Sequence, residues 1–110
     1  MDPVEQQYAA YNARDLERFV ACYAPDVRIE DGAGNVLLEG HDAMRGLYGK
    51  LFARSPDLHA RSVYRTRVGA YVLDEEIATG LSLEDHPAEV HCVAVYRVAG
   101  DRIVHVRLLW

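Results

Sequence analysis

From Leu58 to the C-terminus the apolar residues of this chain recur at every second position, and the pattern barely breaks. Leu58–Val68, Tyr71–Leu81, Glu89–Val98 and Arg102–Trp110 therefore read as four strands joined in a meander. Before Leu58 the period is closer to 3.6. Asp2 is a cap and Pro3 a first helical residue, so the chain opens on a helix whose face carries Val4, Gln7, Tyr8 and Tyr11. Asn12 to Arg14 break it and Asp15 caps a second helix, with Leu16, Phe19, Val20 and Tyr23 on one stripe. Pro25 stops that helix. Val27 and Ile29 then alternate with Arg28 and Glu30 as in a strand, GAGN turns the chain, and Val36–Glu39 returns. Met44, Leu47, Tyr48, Leu51 and Phe52 mark a third helix ending near Ser55-Pro56. Helices first and a meander afterwards predict an α+β fold, with helices packed on one face of an antiparallel sheet.

At 110 residues the chain has the length of one domain, taken here as 1–110. A net charge of −5, with basic residues scattered along the chain, argues against a nucleic-acid or anionic-membrane surface. MDPVEQQ carries no signal pattern, and no apolar run reaches the length of a membrane span. Cys22 and Cys92 are far apart and lack a CxxC spacing, so a reduced, cytoplasmic setting is expected, with both thiols acting as small hydrophobes. The five histidines are dispersed without HxH or HExxH spacing, and no Gly-rich phosphate loop or GxSxG elbow occurs. Neither a metal nor a cofactor is therefore expected.

The last hairpin can be registered from its own residues. Ala99-Gly100-Asp101 can form a loop of two or three residues. Three would pair Tyr96 with Val104, Ala94 with Val106, Cys92 with Leu108 and Val90 with Trp110, which keeps one face apolar. Burial specifies register, so three are expected. The opposite face mixes Val93, Val95, Ile103 and Leu109 with His91, Arg97, His105 and Arg107. It is too apolar to be simply solvated and suits a homodimer interface built from the outer sheet face.

Two carboxylates have the parity of an apolar face. Asp31 closes its strand on the side of Val27 and Ile29, so it sits either in a pocket or at the rim of the core, where before GAG it can bond its own backbone in an Asx-turn. Glu76, in VLDEEIATG, shares parity with Val72, Ala78 and Gly80, and is either a pocket group or a rim carboxylate paired with an Arg. If the two converge they can divide acid and base roles. Tyr8, Tyr11, Tyr48, Tyr64, Tyr96 and Trp110 fall on inward stripes. As a set they suit an aromatic-lined pocket for a hydrophobic ring system.

The phrases AYNARDLERFVACYAPDVRIEDGAG, GHDAMRGLYGKLFARSP, VGAYVLDEEIATG and VAVYRVAGDRIVHVRLLW cover most of the chain. In them it resembles the nuclear transport factor 2-like superfamily, and within it the SnoaL-like and ketosteroid-isomerase-like group. The resemblance implies three N-terminal helices packed in a curved, mostly antiparallel sheet, a cone-shaped α+β barrel with a pocket open at one end. It places Asp31 where the isomerase keeps its general base and Tyr48 on a tyrosine bordering the pocket. Gln7 and Ala94 fall where the isomerase keeps its two oxyanion donors. That departure implies poor steroid isomerisation by the isomerase's route, since Gln7 offers one amide donor and Ala94 none.

Two function classes follow. One is a cofactor-independent acid–base enzyme of the isomerase, cyclase or dehydratase type, acting on a small hydrophobic carbonyl compound. Asp31 would be its base, Glu76 a second catalytic carboxylate, and Gln7, Tyr8, Tyr11, Tyr48, Tyr64, Ala94, Tyr96 and Trp110 its substrate-binding residues. The other is a non-catalytic dimeric ligand-binding or assembly module. A deep open pocket holding Asp31 and Glu76 favours the first, and a pocket filled by Tyr11, Tyr48 and Trp110 the second.

Overall fold

A computed structural model describes residues 2–110. Helices α1 (Pro3–Asn12) and α2 (Leu16–Ala21) precede strands β1 (Tyr23–Asp31) and β2 (Val36–Glu39). Helix α3 (Gly40–Arg54) follows, and then β3 (His59–Val68), β4 (Tyr71–Thr79), β5 (Val90–Ala99) and β6 (Arg102–Leu109). The helices begin as their sequences dictate. Asp2 accepts from the Val4 amide with Pro3 in the first turn, and Asp15 accepts from the Arg18 amide.

Six strands form one sheet in the order β2-β1-β6-β5-β4-β3. Only β1 and β6 are parallel; the other neighbours are antiparallel. Helix α3 packs on β1 and β2 near one edge, while α1 reaches β6 and β3 toward the other, so the sheet bends around the helices. β2 and β3 do not pair, and the sheet is curved and open, consistent with the expected cone. The expectation of three N-terminal helices needs correction. Two precede the sheet, and α3 enters only after the β1–β2 hairpin has formed its edge. Among the described residues no helix is long and apolar enough to cross a membrane.

Local irregularities decide which way several side chains face. Helix α2 ends at Ala21, and Tyr23 starts β1 instead of closing the helical stripe. Pro25 lies inside β1, between Tyr23 and Arg28, where the β1–β6 register slips and a missing N–H costs no ladder bond. In the β5–β6 hairpin Ala99 pairs with Arg102, so the loop has two residues, with Gly100 at φ 61°. Beyond Arg97/Val98 the register shifts by one, and Tyr96 pairs with Val106 and Ala94 with Leu108. The apolar face anticipated for this hairpin exists, but the pairing is displaced by two residues from the expected one. The bulge also turns Ile103, expected on the outer face, into the core, where it is fully buried.

The core lies between helices and sheet. Val4, Phe19, Val20, Val27, Met44, Ile103 and Val106 are almost completely buried there. The Phe19 ring sits 4.6 Å from Tyr48, 5.1 Å from Tyr23 and 5.6 Å from Phe52, centroid to centroid. Such tilted and edge-to-face pairs add about 0.5–1.5 kcal/mol each beyond their area burial. Gly80 ends β4 at φ 73°, and a Cβ there would lie 2.2 Å from the Asp57 carbonyl oxygen. Only glycine lets β4 finish against the chain entering β3.

Candidate active site

Between the helices and the concave face of the sheet is a cavity of about 560 Å³. Its wall is mostly aromatic and aliphatic, and Gln7, Tyr8, Tyr11, Phe19, Tyr48, Glu76 and Tyr96 belong to it. Three elements supply the polar groups. Helix α1 presents Gln7, Tyr8 and Tyr11 on one stripe, α3 contributes Tyr48, and β4 and β5 bring Glu76 and Tyr96 to the concave face.

These residues form a directed chain of hydrogen bonds. Tyr23 donates to Gln7 Oε1 at 3.2 Å, and Gln7 Nε2 donates to the Tyr96 hydroxyl at 3.3 Å. Tyr96 then donates to Glu76 Oε2 at 2.9 Å, and Tyr8 donates to the same oxygen at 2.8 Å. Every proton in the chain points toward Glu76. The second carboxylate oxygen, Oε1, has no protein partner, yet no buried side-chain polar atom among the described residues lacks one. Oε1 is therefore open to the cavity. The same reasoning leaves the hydroxyls of Tyr11 and Tyr48 facing open space.

Burial raises the Glu76 pKa above the usual carboxylate value, and the nearby Asp74 charge adds to the rise. Hydrogen bonds from Tyr8 and Tyr96 and the charge of Arg65 oppose it without cancelling it. Burial and the Glu76 charge likewise raise Tyr8, and Tyr11 and Tyr48 are raised by burial first, so these phenols stay protonated as donors. Cys92, directly across from Glu76 on β5, is pushed up to about 12 and holds its proton.

Behind Tyr8 lies a second charged layer. Asp74 is fully buried and takes two bonds from Arg65, Nε at 2.6 Å and Nη2 at 2.8 Å. The Arg65 guanidinium also sits 5.7 Å from the centre of the Tyr8 ring, within cation–π range. The pair holds Tyr8 from behind while Glu76 holds its hydroxyl.

The structure does not bring Asp31 to this place. Asp31 is the last residue of β1, beside the β1–β2 turn and outside the cavity wall. Its Oδ1 accepts from the Ala33 and Asn35 amides and its Oδ2 from the Asn35 side chain. Those bonds, the Asn35 side chain's first, hold its carboxyl below the usual range. The rim alternative weighed for this residue is the one its geometry fits, since an Asx-type turn outcompetes the pocket for a short carboxylate. Tyr64 also departs from expectation. A bulge between Ser62 and Tyr64 sets Tyr64 opposite Glu75 instead of Asp74, and leaves it 68 % exposed. Ala94 is buried outside the wall, and Trp110 borders the mouth with most of its surface exposed. Tyr23 and Asp74 were missed. Tyr23 was hidden by its assignment to a helix, whereas the parity of Asp74 with Glu76 on β4 was a signal available in the sequence. Among the described residues no cluster of three or more His, Cys, Asp or Glu is placed to hold a metal ion.

Comparison with known proteins agrees with this geometry at the level of the fold. Residues 4–106 match the SnoaL-like domain. No curated protein matches the chain. An uncharacterized cystatin fold protein from Novosphingobium aromaticivorans is 30% identical, over 100% of this chain and 99% of that one, with a TM-score of 0.86. An LEH-like epoxide hydrolase of M. tuberculosis is 19% identical over 98% of this chain and 75% of its own, with a TM-score of 0.80. A computationally designed 17-OHP binder is 19% identical over 98% of this chain and 89% of its own, with a TM-score of 0.80. With residues 4–106 matched, the chain belongs to the SnoaL-like domain family, and its fold is the one seen in structures described as ketosteroid isomerase-like and NTF2-like.

Proposed function

We propose that this protein is a cofactor-independent acid–base enzyme acting on a small hydrophobic carbonyl compound, with Glu76 as its base. The observation that carries the reading is the Glu76 carboxylate, with one oxygen tied to two phenols and the other open to an apolar cavity. A carbon acid seated beside Oε1 would pass its α-proton to that oxygen. The electron pair would move onto the carbonyl oxygen, and the Tyr11 and Tyr48 hydroxyls are the free donors available to it. Returning the proton at another carbon completes an isomerisation; expulsion of a leaving group completes a dehydration. A raised pKa suits such a group, because a base works best when its affinity for the proton approaches the working pH.

A second reading keeps the cavity and removes the turnover. It is supported by the designed 17-OHP binder, a binder with this architecture. Deuterium exchange decides between the two. Incubated in D₂O with 2-tetralone, an enzyme should speed α-deuteration, read by NMR, and Glu76→Gln should abolish the acceleration. Tight binding without exchange would favour the binding module.

We further propose that the protein acts as a homodimer through the outer face of the sheet, in a cytoplasmic setting. Leu73, Val93 and Leu109 are 38%, 37% and 40% exposed there, and the β4–β5–β6 register places Val95 among them. The Glu75–His91 and Glu30–His105 pairs border that patch.

A further inference from the structure

The charges around the cavity are one-sided. Among the described residues its wall contains two side-chain carboxylates, Glu76 and Glu89, and neither a Lys nor an Arg. The nearest guanidinium to Tyr8, that of Arg65, stands behind the ring and is committed to Asp74 through two short bonds. The two wall histidines are exposed and have other partners, His91 on the outer face of the sheet. His91 Nε2 meets Glu75 at 2.7 Å, and His86 Nδ1 meets the Pro87 carbonyl at 2.8 Å. An anion entering the cavity would meet no cation. It would also be brought out of water toward a carboxylate, and both effects oppose it.

A cation would meet the opposite conditions. The free Oε1 of Glu76 is an acceptor without a partner, and the rings of Tyr11, Phe19 and Tyr48 cluster within the same wall, with centroids 4.6 to 6.4 Å apart. Aromatic faces beside a carboxylate attract an ammonium through the ring quadrupole as well as through charge. The remaining wall, with Leu51, Val106 and Leu108, is apolar and suits a hydrocarbon body.

We infer that the cavity selects by charge, that its best-matched ligand is a hydrophobic ring compound carrying a protonated amine, and that carboxylates and phosphates are excluded. This rests on the reading of the cavity as a ligand site and adds the charge of what enters it. The ammonium would take the place at Oε1 that a carbon acid needs for proton transfer. A hydrophobic amine is therefore a competitive inhibitor of the exchange reaction.

Calorimetric titration with three matched probes at about pH 7 tests the inference: 2-(aminomethyl)naphthalene, 2-naphthalenemethanol and 2-naphthoate. The amine should bind at least about tenfold more tightly than the alcohol, and the carboxylate more weakly than either. Glu76→Gln should erase the advantage of the amine and leave the alcohol within roughly threefold. Glu89→Gln, at the exposed mouth, should change the amine by less, because solvent screens that carboxylate. Equal binding of amine and alcohol in the wild type, or an advantage that survives Glu76→Gln, would overturn the charge inference alone. Failure of all three probes to bind would overturn the ligand-site reading with it. Should Glu76→Gln not fold, the wild-type order of the three probes decides by itself.

Discussion

Asp31 and Glu76 are both carboxylates on strands, both placed by parity on an apolar face, and the fold treats them in opposite ways. Asp31 is the last residue of its strand, and the turn that follows offers it three donors from two residues. Glu76 lies mid-strand on β4, flanked by β3 and β5 and covered by α1, so its donors come from distant parts of the chain, Tyr8 and Tyr96. The first carboxylate is stabilised as an anion beside water. The second is kept out of water with one oxygen unpartnered. What separates them is burial and the origin of their partners, since their residue chemistry is nearly the same.

The comparison can be broken most directly by exchange kinetics. Glu76→Gln should lower α-deuteration of 2-tetralone by about 10²–10⁴-fold, the usual worth of a general base, whereas Asp31→Asn should leave it unchanged. A reversed result would return the base to Asp31. Next comes the layer behind Tyr8. Arg65→Met leaves Asp74 charged and buried without its partner, a change that costs about 3–5 kcal/mol in such pairs. The lower end is expected, since 20% of the Arg65 side chain stays exposed, and urea unfolding reads the value.

On the convex face, Val95→Glu should place a charge in the proposed interface and convert a dimer to a monomer in sedimentation at micromolar concentration, with exchange activity per chain retained. A wild-type monomer would remove the proposal.

Stability against pH sharpens the contrast between the two carboxylates. The Glu76 pKa is raised above its ordinary 4.5, so the folded state binds its proton more tightly than the unfolded state does. Its contribution is present below about pH 4.5 and is lost as the pH rises through the folded pKa. The stability of Glu76→Gln relative to wild type should therefore improve as the pH rises over that window. Asp31 is lowered from 3.8, and its contribution is present above that value and lost as the pH falls through the folded pKa. Asp31→Asn should lose stability at neutral pH and close the gap in acid. The smallest effect is thermal. Asp31→Ala should lower Tm by no more than roughly a few degrees, as for an exposed turn substitution.

How much of this was legible beforehand depended on the distance over which each signal acts. The helix starts were readable because a cap and its helix are neighbours in sequence, as Asp2 with Val4 and Asp15 with Arg18 illustrate. Strand faces were readable wherever the ladder ran without a slip, which placed Glu76 and Tyr96 on the face toward which the α1 stripe brings Tyr8. Tyr64 and Ile103 were misplaced for a common reason. Each lies beside a bulge, and one extra residue reverses the parity of all that follows until the next irregularity.

The sequence by itself determined most of the elements, the antiparallel meander and the tyrosines on inward-facing stripes, because period and capping are properties of short stretches. Tertiary structure alone decided which carboxylate is dry. That outcome depends on the α1 phenol arriving at β4, sixty-eight residues away in sequence, and on a sheet that curves far enough to leave room beside Glu76. Periodicity reports which side of a strand is apolar. It carries no information on whether that side meets packed atoms, a turn or an open cavity, because this depends on what the rest of the chain brings to it.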